Sequence, residues 1–280
     1  MLMVVYSDGL PIDYIDTGAG EVTLFFVHGS SIDKLYWQEQ ITHFKEHYRV
    51  IAIDLPGHGQ SGKDRQEWTI EAFAADVNAV IQKLNLSKVI LIGHSMGSDI
   101  ILEASALNPA AVLGLVVIDA LKQAGTEMPE EVLQQVSSIL QNLQADFGNT
   151  IESYAKQGLL THDTDIGIVD MVTNDYRTAY PPMVIGSLPS IFGFAGRERE
   201  LLEQLRWKLY LINVDYIPTD ESLLSKHANA GYELTVLHGT CHFPMLELPV
   251  ALNQALEKVF HKIENPEKFE GLSVERFLNS

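Results

Sequence analysis

A five-residue motif, Gly93-His94-Ser95-Met96-Gly97, constrains this chain more than any other feature. It follows the apolar run Lys88-Val89-Ile90-Leu91-Ile92 and precedes a stretch of helical character. A serine held between a strand end and a helix start requires a tight, strained turn, and only glycine fits two positions before and after it. The turn lifts Ser95 Oγ above the sheet and leaves the Met96 N–H at a helix N-terminus, where negative charge is stabilised. The motif therefore predicts Ser95 as a nucleophile and Met96 as one donor of an oxyanion hole.

The segments around this motif alternate between strand and helix signals. Residues 69–85 carry apolar side chains at helical spacing, with Thr69 as the predicted N-cap. The strand signals are Val22–Val27, Arg49–Asp54, 88–92, Leu113–Ile118, Lys208–Val214 and Glu233–Leu237, and a last helix is predicted near Val250–Ile263. Nearly continuous apolar strands separated by helices indicate a mostly parallel central sheet flanked by helices, which is an α/β fold.

Residues 121–180 interrupt this alternation, because they contain no convincing strand signal. Apolar residues recur there at helical spacing, namely Val132, Val136, Ile139, Leu140, Leu143 and Phe147. We therefore predict a core of residues 1–120 and 181–280 with a helical cap, residues 121–180, inserted over the strand ends. Ligands bind at that edge of open α/β sheets, and the apolar stripe of the cap would roof the ligand cavity.

Composition narrows the range of partners. The formal net charge of −18 argues against nucleic acid and anionic membrane, since both repel an acidic surface. The N-terminus is too short for a signal-peptide core and no apolar run reaches membrane-spanning length, so we expect a cytoplasmic protein. No cluster has metal-ligand spacing and no glycine-rich dinucleotide fingerprint follows a strand, so we expect neither metal nor cofactor. The expected partner is a small-molecule substrate, and a homodimer stays open.

His242 is the predicted base for the serine. A serine hydroxyl needs a base to take its proton and a carboxylate to orient that base. His242 follows the late strand through the short loop 237–241 and precedes the last helix, which places it at the same sheet edge as Ser95. We interpret His28, His58, His94 and His238 as structural, and the single cysteine, Cys241, as a packing residue.

A second oxyanion donor is predicted in the turn His28-Gly29-Ser30-Ser31, which follows an early strand. Backbone N–H groups in such a turn are not used in the hydrogen bonds of a strand or helix, so they are available to a ligand. The Ser30 N–H is the expected donor beside that of Met96.

The elbow, the His-Gly turn and the late histidine occur in an order that resembles the α/β-hydrolase superfamily. The resemblance runs from about residue 12 to 263 apart from the insertion, and Asp54-Leu55-Pro56-Gly57-His58-Gly59-Gln60-Ser61 is similar to the loop after that superfamily's second core strand. It implies a serine-nucleophile member with a helical cap, whose triad follows the order serine, acid, histidine.

Two aspartates compete for the role of triad acid. Most members of the superfamily carry the acid in a Gly-x-x-Asp turn after the strand that precedes the histidine loop. Here Asp215 occupies that region without the glycine, whereas Asp119 ends the strong apolar run Val116-Val117-Ile118, where some members place the acid instead. We favour Asp119, with Asp215 as the alternative.

The leading functional hypothesis is a serine hydrolase of the carboxylic-ester type. It would cleave a small, mostly apolar ester, thioester or lactone through an acyl-enzyme with a Ser-His-Asp triad. The resemblance also admits carbon–carbon bond hydrolases and cofactor-free haloperoxidases on the same fold. A third reading is a ligand sensor that keeps the triad and signals through its cap.

Overall fold

The computed structural model describes residues 3–127 and 129–266, and eight strands of that part form one sheet. The strands are β1 Met3–Ser7, β2 Leu10–Asp16, β3 Thr23–Val27, β4 Arg49–Ile53, β5 Val89–His94, β6 Val112–Ile118, β7 Leu209–Val214 and β8 Tyr232–Leu237. Their order in the sheet is β1-β2-β4-β3-β5-β6-β7-β8. The six strands from β3 to β8 are mutually parallel, and only β1 and β2 run antiparallel to their neighbours.

The first two strands form a hairpin that the sequence analysis did not predict. Ser7 pairs with Leu10, so the turn consists of Asp8 and Gly9 alone, and both have positive φ, +48° and +82°. An Asp-Gly pair between two short strands is a known signal for such a two-residue turn, because its positive φ angles match the twist of the strands. The signal was therefore present in the sequence.

Six helices flank this sheet in the described chain. They are α1 Gln38–Phe44, α2 Ile70–Lys83, α3 Met96–Leu107, α9 Glu221–His227, α10 Pro244–Glu247 and α11 Pro249–Glu264. Thr69 Oγ1 accepts a hydrogen bond from the Ala72 N–H at 3.1 Å, which confirms the predicted N-cap of α2. None of the described helices is long and apolar enough to cross a membrane.

Five further helices lie between β6 and β7: α4 Glu130–Ala145, α5 Phe147–Gly158, α6 Ile166–Thr178, α7 Pro181–Gly193 and α8 Ala195–Gln204. The helical stretch thus continues beyond residue 180, where the predicted cap ends. Pro181 and Pro182 lie in the first turn of α7, where a missing N–H costs no hydrogen bond, so they begin a helix. The division into cap and core stays a prediction; residues 267–280 and the Val132 side chain lie outside the described residues.

The predicted turn at Ser95 joins β5 directly to α3. A Cβ on Gly93 would lie 2.3 Å from the Gly97 carbonyl oxygen, and one on Gly97 would lie 2.5 Å from the Val27 carbonyl oxygen. Both distances are far below contact, so glycine is required at each position. The two glycines allow the first turn of α3 to approach the ends of β5 and β3.

The order of the parallel strands determines what meets at the carboxyl edge of the sheet. β5 lies between β3 and β6. Ser30, Ser95 and Asp119 each follow one of these three strands within a few residues. Since parallel strands end at the same edge, their side chains are brought together there.

Replacing Gly97 by alanine is expected to destabilise the protein by about 1–3 kcal/mol, because the new methyl group must displace backbone atoms of a neighbouring strand end. Gly196→Ala in α8 is the matched control, since a Cβ there meets nothing within 4 Å and alanine favours a helix. Urea unfolding of both variants measures the difference. Equal stability of Gly97→Ala and the native chain would contradict the close approach.

Candidate active site

Ser95 has the strained backbone that the motif predicts. Its φ and ψ are +53° and −125°, a region that side chains rarely adopt and that is typical of functional sites. The Ser95 N–H donates to the Ile118 carbonyl at 3.1 Å, which ties the turn to the end of β6. Ser95 is only partly buried, so its hydroxyl stays accessible.

The turn after β3 lies against Ser95. A Cβ on Gly29 would be 3.1 Å from the Ser95 Cβ, so the two backbones are nearly in contact. His28 stabilises this turn: its Nε2 accepts from the Leu55 N–H at 3.0 Å, and its Nδ1–H donates to the Gly29 carbonyl at 2.7 Å. This arrangement agrees with the structural interpretation of His28.

The backbone N–H groups of Ser30 and Met96 are free of hydrogen bonds within the described chain. Both residues line the same cavity as Ser95, and Met96 is the first residue of α3. An oxyanion hole requires unused donors of this kind beside the nucleophile.

His242 and Asp119 are in direct contact. His242 Nδ1 lies 2.6 Å from Asp119 Oδ2, and both residues are buried. Asp119 Oδ1 accepts from the Val214 N–H at 3.1 Å and lies 2.7 Å from Lys122 Nζ. Burial alone would raise the pKa of Asp119, but the hydrogen bond from His242 and the charge of Lys122 outweigh burial and lower the pKa. The carboxylate is therefore ionised, as an orienting acid requires.

His94 connects the histidine loop to the elbow. Its Nε2–H donates to the His242 carbonyl at 2.8 Å, and burial lowers the pKa of His94 to about 3, so the ring is neutral. Ser95 Oγ forms no hydrogen bond to His242 in the described part of the chain. In proteins without substrate, catalytic hydrogen bonds often tighten only when substrate binds.

The alternative acid, Asp215, lies in another environment. Its Oδ2 accepts a hydrogen bond from His238 Nδ1 at 2.8 Å, and its Oδ1 accepts from the Gly239 N–H at 3.3 Å. Both side chains are well exposed, at 44% for Asp215 and 76% for His238. The structure thus brings Asp119 to His242 and pairs Asp215 with a surface histidine.

Ser95 opens into a cavity of about 250 Å³. The sheet edge supplies its floor, including Ser30, Ser95, Met96 and Asp119. Helices α4 to α7 supply an apolar roof, with Ile139, Leu143, Ile151, Tyr154, Tyr176, Val184, Leu188, Ile191 and Phe192. Ile139 and Leu143 belong to the stripe that the sequence analysis predicted as a roof. The site can therefore hold a small, mostly apolar molecule next to the serine.

A pair of carboxyl groups also lines this cavity. Asp99 in α3 and Glu198 in α8 share a hydrogen bond, and Glu198 Oε1 accepts from the Gly125 N–H. Burial raises the pKa of Asp99 well above its usual range, and Glu198 raises that pKa further. Burial likewise raises the pKa of Glu198. Two carboxyl groups in hydrogen-bond contact share a proton, so the pair carries at most one negative charge near neutral pH.

Tyr216 also reaches the site, since its Oη lies 3.4 Å from His242 Nδ1. Sequence reasoning missed four residues of this site: Lys122, Tyr216, Asp99 and Glu198. Asp99 had a usable signal, because a residue four positions after Ser95 in a helix lies on the same helical face. Lys122 follows Asp119 by three residues, yet spacing alone does not show that its ammonium group turns back to the carboxylate. Tyr216 and Glu198 reach the site from distant parts of the chain and left no local signal. Within residues 3–127 and 129–266, no group of His, Cys, Asp and Glu is placed to hold a metal ion.

The fold and this site together define a hydrolase of the α/β type. A family model described as "alpha/beta hydrolase fold" matches residues 22–165. The (E)-2-((N-methylformamido)methylene)succinate hydrolase of Acinetobacter baylyi is 31% identical over 261 residues, which cover 90% of this chain and 94% of the relative. The chain therefore belongs to the α/β-hydrolase family, and it is an enzyme of the hydrolase class.

Solved structures agree with this fold. An esterase from Thermogutta terrifontis has a TM-score of 0.80 at 20% identity, covering 94% of this chain and 97% of the esterase. An esterase from Exiguobacterium antarcticum has a TM-score of 0.81 at 20% identity, covering 92% and 99% of the two chains. At this identity the similarity establishes the common fold.

Replacing Asp119 by asparagine is expected to lower kcat on a p-nitrophenyl ester by about 10³–10⁴-fold. The asparagine amide can favour the wrong imidazole tautomer, and it removes the charge that stabilises the imidazolium. Asp215→Asn is the matched control and should retain kcat within about twofold, since its carboxylate bonds a surface histidine. Steady-state kinetics of the two purified variants checks this, and a larger loss in Asp215→Asn would reverse the assignment.

Proposed function

We propose that this protein is a serine hydrolase that cleaves small, mostly apolar carboxylic esters, thioesters or lactones through an acyl-enzyme. One observation carries the proposal: a serine on a strained turn shares an apolar cavity with Asp119, whose carboxylate contacts His242. Two free backbone N–H groups at the same cavity supply the remaining component that acyl transfer needs.

His242 is the proposed general base. Because Asp119 accepts a hydrogen bond at the Nδ1 side, the proton of the neutral ring lies on Nδ1 and the lone pair on Nε2. Nε2 takes the proton of Ser95 Oγ as this oxygen attacks the substrate carbonyl carbon. The ionised Asp119 stabilises the imidazolium that results.

The oxygen of the attacked carbonyl becomes an oxyanion, and the N–H groups of Ser30 and Met96 are the proposed donors to it. Because the folded turns already hold these N–H groups in place, the backbone needs no reorganisation during the reaction. The Met96 N–H also lies at the N-terminus of α3, where the helix dipole favours negative charge. Collapse of the tetrahedral intermediate breaks the bond to the leaving group, which takes its proton from His242.

Water completes the cycle. His242, now neutral, removes a proton from a water molecule that attacks the acyl-enzyme. The resulting tetrahedral intermediate collapses with cleavage of its bond to Ser95 Oγ and releases the acid product, while His242 returns the proton to Ser95 Oγ. Each step transfers one proton through the same ring nitrogen.

The cavity lining favours uncharged acyl groups. The described residues of the lining include no Lys, Arg or His, whereas they include Asp99, Asp119 and Glu198. A carboxylate buried there would lose its hydration without a cation to replace it, and such a loss is costly. The relative from Acinetobacter baylyi is named for a succinate-type substrate. We infer that this chain acts on a less charged substrate than its relative.

The remaining expectations stay proposals. The net charge of −18 disfavours nucleic acid as a partner, and a small molecule fits the cavity. A cytoplasmic location remains a prediction of the sequence, and a homodimer stays open as before.

Replacing Ser95 by alanine is expected to abolish hydrolysis of p-nitrophenyl butyrate, because the nucleophile is lost while the fold is kept. A fluorophosphonate probe should label the native chain at Ser95 and leave the Ser95→Ala variant unlabelled. Native-like hydrolysis by Ser95→Ala would refute the proposal. Labelling without turnover of any ester would favour the sensor reading, and turnover of a carbon–carbon or halogenation substrate alone would favour the other enzyme readings.

The charge preference is tested with mono-p-nitrophenyl glutarate and its methyl ester, which differ in one negative charge. We expect kcat/KM to be about 100-fold higher for the methyl ester, since burial of an unpaired carboxylate is unfavourable. Leu188→Arg places a cation in the cavity lining and should reduce the ratio of kcat/KM between the methyl ester and the charged ester. Leu188→Met adds no charge and should leave this ratio unchanged. Equal rates of the native chain on both esters would rule out selection by charge.

A further inference from the structure

The carboxylate of Asp119 contacts two nitrogen groups at once, one on each oxygen. Oδ2 contacts His242 Nδ1 at 2.6 Å, and Oδ1 lies 2.7 Å from Lys122 Nζ. The Asp119 side chain has no exposed surface, and the Lys122 side chain is only 13% exposed. This ion pair is therefore shielded from solvent and from salt, unlike a pair on the surface.

Two further contacts hold the ammonium group of Lys122 in place, and a third fixes its backbone. Lys122 Nζ donates to the Val214 carbonyl at 3.3 Å and lies 4.4 Å from the centre of the Tyr216 ring. The Lys122 carbonyl accepts from the Asp220 N–H at 2.9 Å, which fixes the backbone of the same residue. A cation–π contact and a buried ion pair restrict a side chain that is otherwise among the most mobile.

The charges around the imidazole can be assigned from each element that packs against it. Asp119 follows β6 and is ionised. From β5, His94 lies with its ring centre 4.5 Å away and is neutral. From the loop after β7, Tyr216 Oη lies 3.4 Å from Nδ1, and burial raises the pKa of this phenol, so it is neutral. Burial also raises the pKa of the adjacent Cys241 thiol to about 12.

From α10, the Glu247 carboxylate accepts hydrogen bonds from the Thr240 hydroxyl at 2.7 Å and the Cys241 N–H at 2.6 Å, so it bonds the residues before His242. Among the described residues, Asp119 and Lys122 are the charged groups on the Nδ1 side of the ring. Their effects oppose each other, because the carboxylate stabilises the imidazolium and the ammonium group destabilises it. The imidazole of His242 and the ammonium group of Lys122 bind opposite oxygens of the Asp119 carboxylate. When His242 is protonated, the two positive charges therefore lie roughly 5 Å apart.

We propose that Lys122 is a positioning residue that fixes the Asp119 carboxylate and offsets part of its charge, so that His242 is available as a base at lower pH. The inference rests on the proposed serine-hydrolase function, since it concerns the base of that reaction. Lys122 does not line the cavity itself, and its contact with the lining is the ion pair with Asp119, so it acts through Asp119.

The direction of the effect follows from the charges. Without Lys122, the full charge of Asp119 stabilises protonated His242, and the ring gives up its proton only at higher pH. Because the reaction needs the neutral ring, the acid limb of the rate profile moves to higher pH. A unit charge roughly 5 Å away in a buried site produces a shift of at least about one pH unit.

The test compares Lys122→Met with Lys122→Arg. Methionine removes the positive charge and keeps a long, unbranched side chain, whereas arginine keeps the charge. For kcat/KM on p-nitrophenyl butyrate between pH 5 and 9, we expect the acid limb of Lys122→Met to lie about one unit above that of the native chain. At pH 5.5 its rate should be about tenfold lower, and at pH 8.5 it should be within about threefold. Lys122→Arg should follow the native profile.

Two outcomes would overturn the proposal: an unshifted acid limb in Lys122→Met, or an equal shift in Lys122→Arg. A loss of rate that is uniform across pH would likewise show a merely structural role. If Lys122→Met does not fold, Lys122→Gln removes the charge with a polar side chain and carries the same expectation. Titration of the His242 ring protons by NMR gives a readout that does not depend on turnover.

The proposed function can fail separately. Fluorophosphonate labelling at Ser95 and ester turnover by the native chain test that function, whatever the lysine variants do. A shift of the His242 titration in a chain without esterase activity would support the role of Lys122 and reject the reaction.

Discussion

The close backbone approach at the Ser95 turn is the constraint on which the rest of the site depends. Gly93 and Gly97 leave room for the first turn of α3 to lie against the ends of β5 and β3, and the distances there exclude any Cβ. The same approach forces Ser95 to a positive φ and frees the Met96 N–H at the helix start. The backbone strain at Ser95, its partial exposure and the free N–H at the helix start are thus consequences of a single packing arrangement.

The acid of the proposed triad shows how the fold stabilises a buried charge. Asp119 also has a positive φ, +47°, so its loop is strained as well. Its carboxylate is surrounded by an imidazole, an ammonium group and a backbone N–H, and without them its burial would be very costly. Asn213 supports this loop, since its side chain bonds both the N–H and the carbonyl of Ala120. The acid position after β6 therefore depends on side chains from β7 and the loop that follows it.

The cavity separates reaction type from substrate choice. Its floor carries the groups that we propose for acyl transfer, and one fold can host many different substrates. Its roof comes from α4 to α7, and the shared proton of Asp99 and Glu198 lowers the charge at its margin. Substrate preference is thus expected to follow the helices between β6 and β7, whereas the chemistry follows the sheet edge.

The sequence alone determined the elements that repeat a local rule. Hydrophobic periodicity and the residues typical of turns and caps were enough to predict the parallel strands from β3 onward, the N-cap Thr69 and the elbow with its two glycines. The hairpin at Asp8-Gly9 was overlooked, although its signal was present in the sequence. Only the tertiary structure distinguished Asp119 from Asp215, because both follow apolar strands and differ in which histidine they meet. The contact of Lys122 with Asp119 and the position of Glu198 in the cavity lining likewise became visible only in the tertiary structure. Contacts between distant segments depend on how loops pack across the sheet edge, and no spacing within a segment encodes that packing.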